Sequence, residues 1–132
     1  MNTRKLEKIL YIEDEADIQA IARLALEALG GFVVETCSSG RAGIACAQAG
    51  APDIILLDVM MPDMDGPATL LALQQLPGLA AVPVVFMTAK VQPQEIAHYR
   101  ALGAVDVIAK PFDPMTLADQ VRQIWSRQTE KE

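Results

Sequence analysis

Ile54-Ile55-Leu56-Leu57 stands between Asp53 and Asp58, directly ahead of the turn-rich stretch Val59-Met60-Met61-Pro62-Asp63-Met64-Asp65-Gly66. Apolar side chains at every position of so short a run, closed by turn residues, read as a strand covered on both faces. Such a strand belongs to a parallel sheet sandwiched between helices, so the rest of the chain has to supply those helices. It also leaves a carboxylate, Asp58, where the strand exits the core, and ligands of open α/β sheets bind at that edge. Ile9-Leu10-Tyr11-Ile12 makes a second exit, running into Glu13-Asp14-Glu15. Val82-Pro83-Val84-Val85-Phe86-Met87 makes a third, at Thr88, and Val105 to Ala109 a fourth, at Lys110.

The segments between these runs carry helical signals. Asp17 to Leu29 places Ile18, Ile21, Ala22, Ala25 and Leu29 on one stripe, and Gly30-Gly31 ends it. Phe32 to Cys37 adds a strand, after which Ser38 or Ser39 caps a short Ala-rich helix to about Gln48. Gly66-Pro67 opens a helix through Leu70, Leu73 and Leu76, with proline suited to the first turn. Pro93 to Leu102 forms another, and Asp113-Pro114 caps a last one with Leu117, Val121 and Ile124 at helical spacing. Five strands alternating with five helices imply parallel pairing through right-handed crossovers. The expectation is a single α/β three-layer sandwich over 1–132, with a core at about 8–126 and short charged tails, the last from Arg127, frayed at both ends.

Charge and composition narrow the function. The chain has 132 residues, 52% hydrophobic, enough for one real core. A net charge of −6 with no cluster of Lys and Arg argues against nucleic acid as a partner. No apolar stretch approaches the ~18 residues of a membrane span, and no signal-peptide core follows Met1-Asn2-Thr3-Arg4-Lys5, so the expected location is the cytoplasm. Cys37 and Cys46 lack metal spacing and are expected to be buried thiols in a reducing compartment.

Four strand ends then decide the chemistry. Glu13, Asp14 and Asp58 come within a few ångströms if the first and third strands are neighbours, and crowded like charges call for a hard cation. Mg²⁺ suits one or two carboxylates with waters and phosphate oxygens. Asp63 and Asp65 do not make a calcium loop, because an EF-hand frame on Asp63, Asp65 and Gly66 puts Met61 and Ala72 where carboxylates are required. They read as turn and cap residues. Thr88 offers a hydroxyl and Lys110 an ammonium, which is what a transferred phosphoryl group needs on its oxygens. Asp58 can serve as the nucleophile and form an acyl phosphate. Taken singly, each of these residues has a plainer role: Asp58 as a cap or turn former, Glu13-Asp14-Glu15 as a solvated edge, Thr88 and Lys110 as surface residues. Their meeting at one sheet edge outweighs those readings. His98 falls on the outer side of its helix as a surface residue, and Trp125 and Tyr99 read as packing or surface residues.

With these motifs, the chain resembles a receiver domain of a two-component response regulator, of the single-domain, chemotaxis-regulator-like kind. The likeness rests on Ile9-Leu10-Tyr11-Ile12-Glu13-Asp14-Glu15, on Asp53 through Gly66, on Pro83-Val84-Val85-Phe86-Met87-Thr88-Ala89, and on Gly103-Ala104 through Lys110-Pro111-Phe112. It covers nearly the whole sequence. The resemblance implies a flavodoxin-like sheet of order 2-1-3-4-5. It also implies that Asp58 accepts a phosphoryl group from a phosphohistidine on a partner histidine kinase or phosphotransfer protein. Asp14, Asp58 and the backbone carbonyl of Met60 would bind Mg²⁺, with Glu13 acting through water. Lys110 would pair with the phosphoryl oxygens, Thr88 would swing to hydrogen-bond one of them, and small Ala89 would leave the acceptor open. A cis Lys110–Pro111 bond is implied as well. The downstream protein is unspecified, and dimerisation on phosphorylation is left open.

Two departures from the family pattern stand out. Glu13 occupies a position where most members carry aspartate, and Val107, three before Lys110, replaces a commonly aromatic residue that changes rotamer with the threonine. A β-branched side chain has little rotamer freedom with which to signal. Two rival functions follow. One is a degenerate receiver used only for docking. The other is an Mg²⁺-dependent aspartyl phosphatase, which lacks its usual acid/base aspartate because Met60 stands two residues after Asp58.

Overall fold

Every apolar run becomes a strand of one parallel sheet. In the computed structural model, which describes residues 5–130, the strands are β1 (Lys8–Ile12), β2 (Val33–Cys37), β3 (Ile54–Asp58), β4 (Val84–Thr88) and β5 (Asp106–Ala109), in the order β2-β1-β3-β4-β5. The helices are α1 (Ala16–Leu24), continued by a π-helical turn over Ala25–Leu29, then α2 (Gly40–Ala49), α3 (Gly66–Gln74), α4 (Pro93–Leu102) and α5 (Leu117–Glu130). This is the expected flavodoxin-like sandwich of five parallel strands and five helices.

Side-chain alternation explains why the strand runs are apolar throughout. Ile9, Tyr11, Ile54, Leu56, Val85 and Met87 face one way, onto Ala22 and Leu26 of the first helical segment and Leu117, Val121 and Ile124 of α5. Leu10, Ile12, Ile55, Leu57 and Phe86 face the other way, onto Leu70 and Leu73 of α3 and Tyr99 of α4. All five residues of β3 are buried. Each such Ile or Leu contributes about 1.5–3 kcal/mol by leaving water.

Local chemistry sets the helix ends. Ser39 Oγ accepts from the Ala42 N–H at 3.1 Å, and Asp65 Oδ1 from the Ala68 N–H at 2.9 Å. Asp63 takes a positive φ of 66° in the preceding turn, so both acidic residues of the β3–α3 loop are turn and cap residues, as expected. Asp113 Oδ1 accepts from the Met115 N–H, a turn ahead of α5. Gly31 holds φ 73° after the π turn, and its N–H bonds the Glu27 carbonyl.

Three expectations need correction. The first helix does not present the stripe ending in Leu29. Ala22, Ala25 and Leu26 are buried, whereas Ile21 and Leu29 are 49% and 50% exposed. The π turn adds a residue to the last repeat, which carries Leu29 outward while Leu26, one turn after Ala22, stays on the buried face. The last helix does not fray at Arg127. It runs to Glu130, and Arg127 Nη2 reaches Asp106 Oδ2 at 2.7 Å. Asp106 Oδ1 also accepts from Arg100 Nη2 at 3.1 Å, so one β5 carboxylate ties α4 to α5. The thiols are not equally buried: Cys37 is 6% exposed and Cys46 only partly covered. Tyr99 and Trp125 are packing residues, buried at 8% and 7% exposure, and His98 is on the surface. No helix among the described residues is long and apolar enough to cross a membrane.

Candidate functional site

Strand register brings the four exits to one edge. Ile12 pairs with Leu57, Asp58 with Met87, and Thr88 with Ala109, so Glu13, Asp58, Thr88 and Lys110 follow at nearly one level. The two aspartates that bracket β3 do opposite things. Asp53 Oδ2 accepts the N–H groups of Glu7 and Lys8 at 2.9 and 2.8 Å and seals the far end of the sheet. Asp58 turns its carboxylate into the cluster.

Glu13, Asp58 and Thr88 are buried polar residues, at 0%, 4% and 5% exposure. Lys110 Nζ lies 2.7 Å from Glu13 Oε1 and 3.2 Å from Asp58 Oδ1, bridging the two carboxylates. Glu13 also accepts from the Tyr11 hydroxyl and from the Glu15 N–H, each at 3.2 Å. Gln19 Nε2 donates to the Glu13 carbonyl and to Ser38 Oγ, which ties α1 and the loop after β2 to the same residue. The Thr88 hydroxyl accepts from the Lys90 N–H at 3.1 Å, while the Thr88 carbonyl takes the Lys110 N–H at 2.9 Å. The Lys110–Pro111 bond is cis, as the resemblance implies.

These contacts divide the charge unequally. Burial pushes the Asp58 carboxyl up, and the negative charge on Glu13 adds to it, so that despite Lys110 it is pushed up to about 6. Burial acts on Glu13 in the same direction. There it is outweighed by the Lys110 hydrogen bond, the Glu15 N–H and the Lys110 charge, which hold the carboxyl below the usual range. Burial alone would lower Lys110, yet the hydrogen bond it donates to Glu13 and the Asp58 and Glu13 charges raise it. Tyr11 is pushed well above its ordinary value by burial and then by Glu13, so it stays a hydroxyl donor.

A carboxyl oxygen from each of Glu13, Asp14 and Asp58 lies within 4.8 Å of the others. Among the described residues the Lys110 ammonium faces this group, and burial makes Asp58 resist ionisation in it. All-oxygen donors with excess negative charge at a partly open edge fit a hard divalent ion that keeps some of its waters. Met60 follows in the loop after β3 and is 72% exposed.

Sequence reasoning missed two residues that shape the site. Tyr11 shares a strand face with Glu13, two positions on, and that period was a usable signal. At Gly66, a Cβ would come within 2.6 Å of the Asp58 carbonyl oxygen and 2.8 Å of Val59 Cα, so only glycine lets α3 start against the Asp58 backbone. No sequence signal separates that role from an ordinary helix start.

Comparison with known proteins agrees with this geometry. The model of the response regulator receiver domain matches residues 9–122. A probable transcriptional regulator, ycf27, from Guillardia theta is 34% identical over 121 residues, covering 92% of this chain and 46% of that protein. The transcriptional regulatory protein CseB from Streptomyces avermitilis is 33% identical over 119 residues, 90% of this chain and 49% of that protein. The chain thus spans about half the length of these curated relatives. The chemotaxis response regulator CheY4 of Vibrio cholerae superposes with a TM-score of 0.84 at 29% identity, over 91% of this chain and 99% of that one. A response regulator of Chloroflexus aurantiacus, described as putative in its own name, gives 0.83 at 27% identity, over 93% and 100%. The protein belongs to the response regulator receiver domain family of two-component signalling.

Proposed function

We propose that the domain is a phosphoacceptor switch in which Asp58 takes a phosphoryl group from a phosphohistidine on a histidine kinase or phosphotransfer protein. A carboxylate oxygen of Asp58 attacks phosphorus, the phosphorus–nitrogen bond breaks, and the imidazole leaves and takes up a proton. The product is an acyl phosphate on Asp58. The observation that carries this reading is the buried Asp58 carboxylate set 3.2 Å from Lys110 Nζ and beside two further carboxylates. Asp14, Asp58 and the Met60 carbonyl are the residues assigned to hold Mg²⁺, with Glu13 one water further out. Bound there, the ion supplies positive charge to the phosphoryl oxygens and relieves the crowding of carboxylates.

Lys110 is already within reach of Asp58 and can follow the new oxygens by releasing its bond to Asp58 Oδ1. Thr88 uses an acceptor lone pair toward Lys90, which leaves its own proton free to donate to a phosphoryl oxygen. The loop after β4 would thereby close on the acceptor. The surface of α4, β5 and α5 is the face proposed to report the change to a downstream protein. The readout differs from the common aromatic one. Val107 is β-branched, and the aromatic here is Tyr99 of α4, packed edge-on to Phe86 with ring centroids 5.2 Å apart.

Apart from its own phosphorylation and dephosphorylation, no substrate is assigned. The phosphatase alternative lacks a proton donor at Met60, and a docking-only receiver does not need Lys110 bridging two buried carboxylates. Incubation with Mg²⁺ and acetyl phosphate should add one phosphate to the wild type and none to Asp58→Asn. Labelling that survives in the variant would defeat the assignment. Failure of the wild type to bind beryllofluoride in the presence of Mg²⁺ would favour the docking-only role.

A further inference from the structure

Cys37 closes β2 and Cys46 sits midway along α2, nine positions on, yet their Sγ atoms approach to 2.7 Å. Both are free thiols, and neither takes part in the acidic cluster. A disulfide sets its sulfurs about 2.05 Å apart, so the two thiols already stand close to bonding distance. Cys46 is the more open of the two, whereas Cys37 lies 6% exposed behind it, which makes Cys46 the sulfur an oxidant meets first. β2 is one of the two edge strands, hydrogen-bonded to β1 alone among the described strands, and edge strands are the least supported part of a sheet.

We propose that Cys37 and Cys46 are a modification site: a peroxide converts them to a reversible internal disulfide that staples α2 to the edge strand. With hydrogen peroxide, the Cys46 sulfur attacks one oxygen and the oxygen–oxygen bond breaks, leaving a sulfenic acid and water. The Cys37 sulfur then attacks the Cys46 sulfur. The sulfur–oxygen bond breaks and hydroxide leaves with the Cys37 proton as a second water. Two thiols are oxidised by two electrons in all, and a dithiol reductant returns them. In a reducing compartment such a bond is transient and signals rather than supports.

The staple lies next to the acidic edge. The Cys37 carbonyl accepts the Glu13 N–H at 2.9 Å, and Ser38 Oγ shares Gln19 with the Glu13 carbonyl. Fixing the end of β2 therefore fixes the backbone that positions Glu13.

The test is mass spectrometry without reduction on the whole protein after hydrogen peroxide treatment. Arg41 lies between the two cysteines, so trypsin separates them and a true bridge appears as two joined peptides. The expected product has lost two hydrogens, joins Cys37 to Cys46, and reverts with dithiothreitol. Its thermal midpoint should rise by roughly 5–10 °C, given a short closed loop in a domain of this size. Cys46→Ala and Cys46→Ser, both at a partly exposed position, should fold and show neither change. Oxygen retained on Cys46, or a bridge only between two molecules, would overturn the proposal. A joined product that melts no higher than the reduced protein would overturn the staple.

Discussion

Replacing Asp58 by asparagine should stabilise the metal-free protein, at the expense of its proposed chemistry. The Asp58 carboxyl is pushed up to about 6 in the fold against 3.8 for the ordinary group, because it is buried beside Glu13. Between those two pH values the folded chain holds a proton that the unfolded chain has released. Stability is therefore greatest below about pH 4 on this account and falls as pH rises through about 6. Two units correspond to roughly 3 kcal/mol. Sharing of charge with Glu13 and Lys110 reduces the usable part to about 2 kcal/mol, which is about 1 M in a urea midpoint for a domain of this size. Asparagine keeps an oxygen for Lys110 Nζ and removes the penalty. Urea titrations at pH 7.5 in a chelating buffer should place Asp58→Asn above wild type, and at pH 4 the gap should close. Saturating Mg²⁺ should also narrow the gap, since an ion bound only by the folded wild type adds its binding free energy. A variant no more stable than wild type at pH 7.5 without metal would refute the account of crowded charge.

Three further outcomes follow from the same contacts. Lys110→Ala leaves Glu13 and Asp58 buried without their cation and should cost about 3 kcal/mol in chelating buffer, with a smaller loss in Mg²⁺, read by urea denaturation. Tyr11→Phe removes a buried donor to the Glu13 carboxylate and should cost about 1.5–3 kcal/mol, measurable as a lowered midpoint with unchanged circular dichroism. Gly66→Ala forces a methyl against the Asp58 carbonyl and should cost about 1–3 kcal/mol. Mg²⁺ affinity by calorimetry should fall in that variant, because the backbone that moves carries Asp58.

The sheet was legible because its strands are buried on both faces, and an unbroken Ile/Leu/Val run has few other uses. The convergence of Glu13, Asp58, Thr88 and Lys110 was legible for a related reason. In a parallel sheet all strands leave the core at the same edge, so residues that end strands are neighbours whatever their spacing in sequence. What escaped was phase and contact. The π turn at Ala25–Leu29 breaks the 3.6-residue count on which the helical stripe depended, and nothing in Ala-Leu-Glu-Ala-Leu announces it. The meeting of Cys37 and Cys46 needs the angle at which α2 crosses β2, and local propensity does not contain that angle. The last helix runs past its expected end, where Arg127 meets a partner twenty-one positions away.

Asp106 serves two guanidiniums, one from each flanking helix, and both arginines are more than half exposed. Exposed ion pairs of this kind are weak and fade as salt rises. The shared carboxylate is thus a soft mechanical linkage rather than a weld. In dilute buffer α4 and α5 would shift as one body, and at high ionic strength each could move independently. How cooperatively this face rearranges becomes a property of the surrounding electrolyte as well as of the chain.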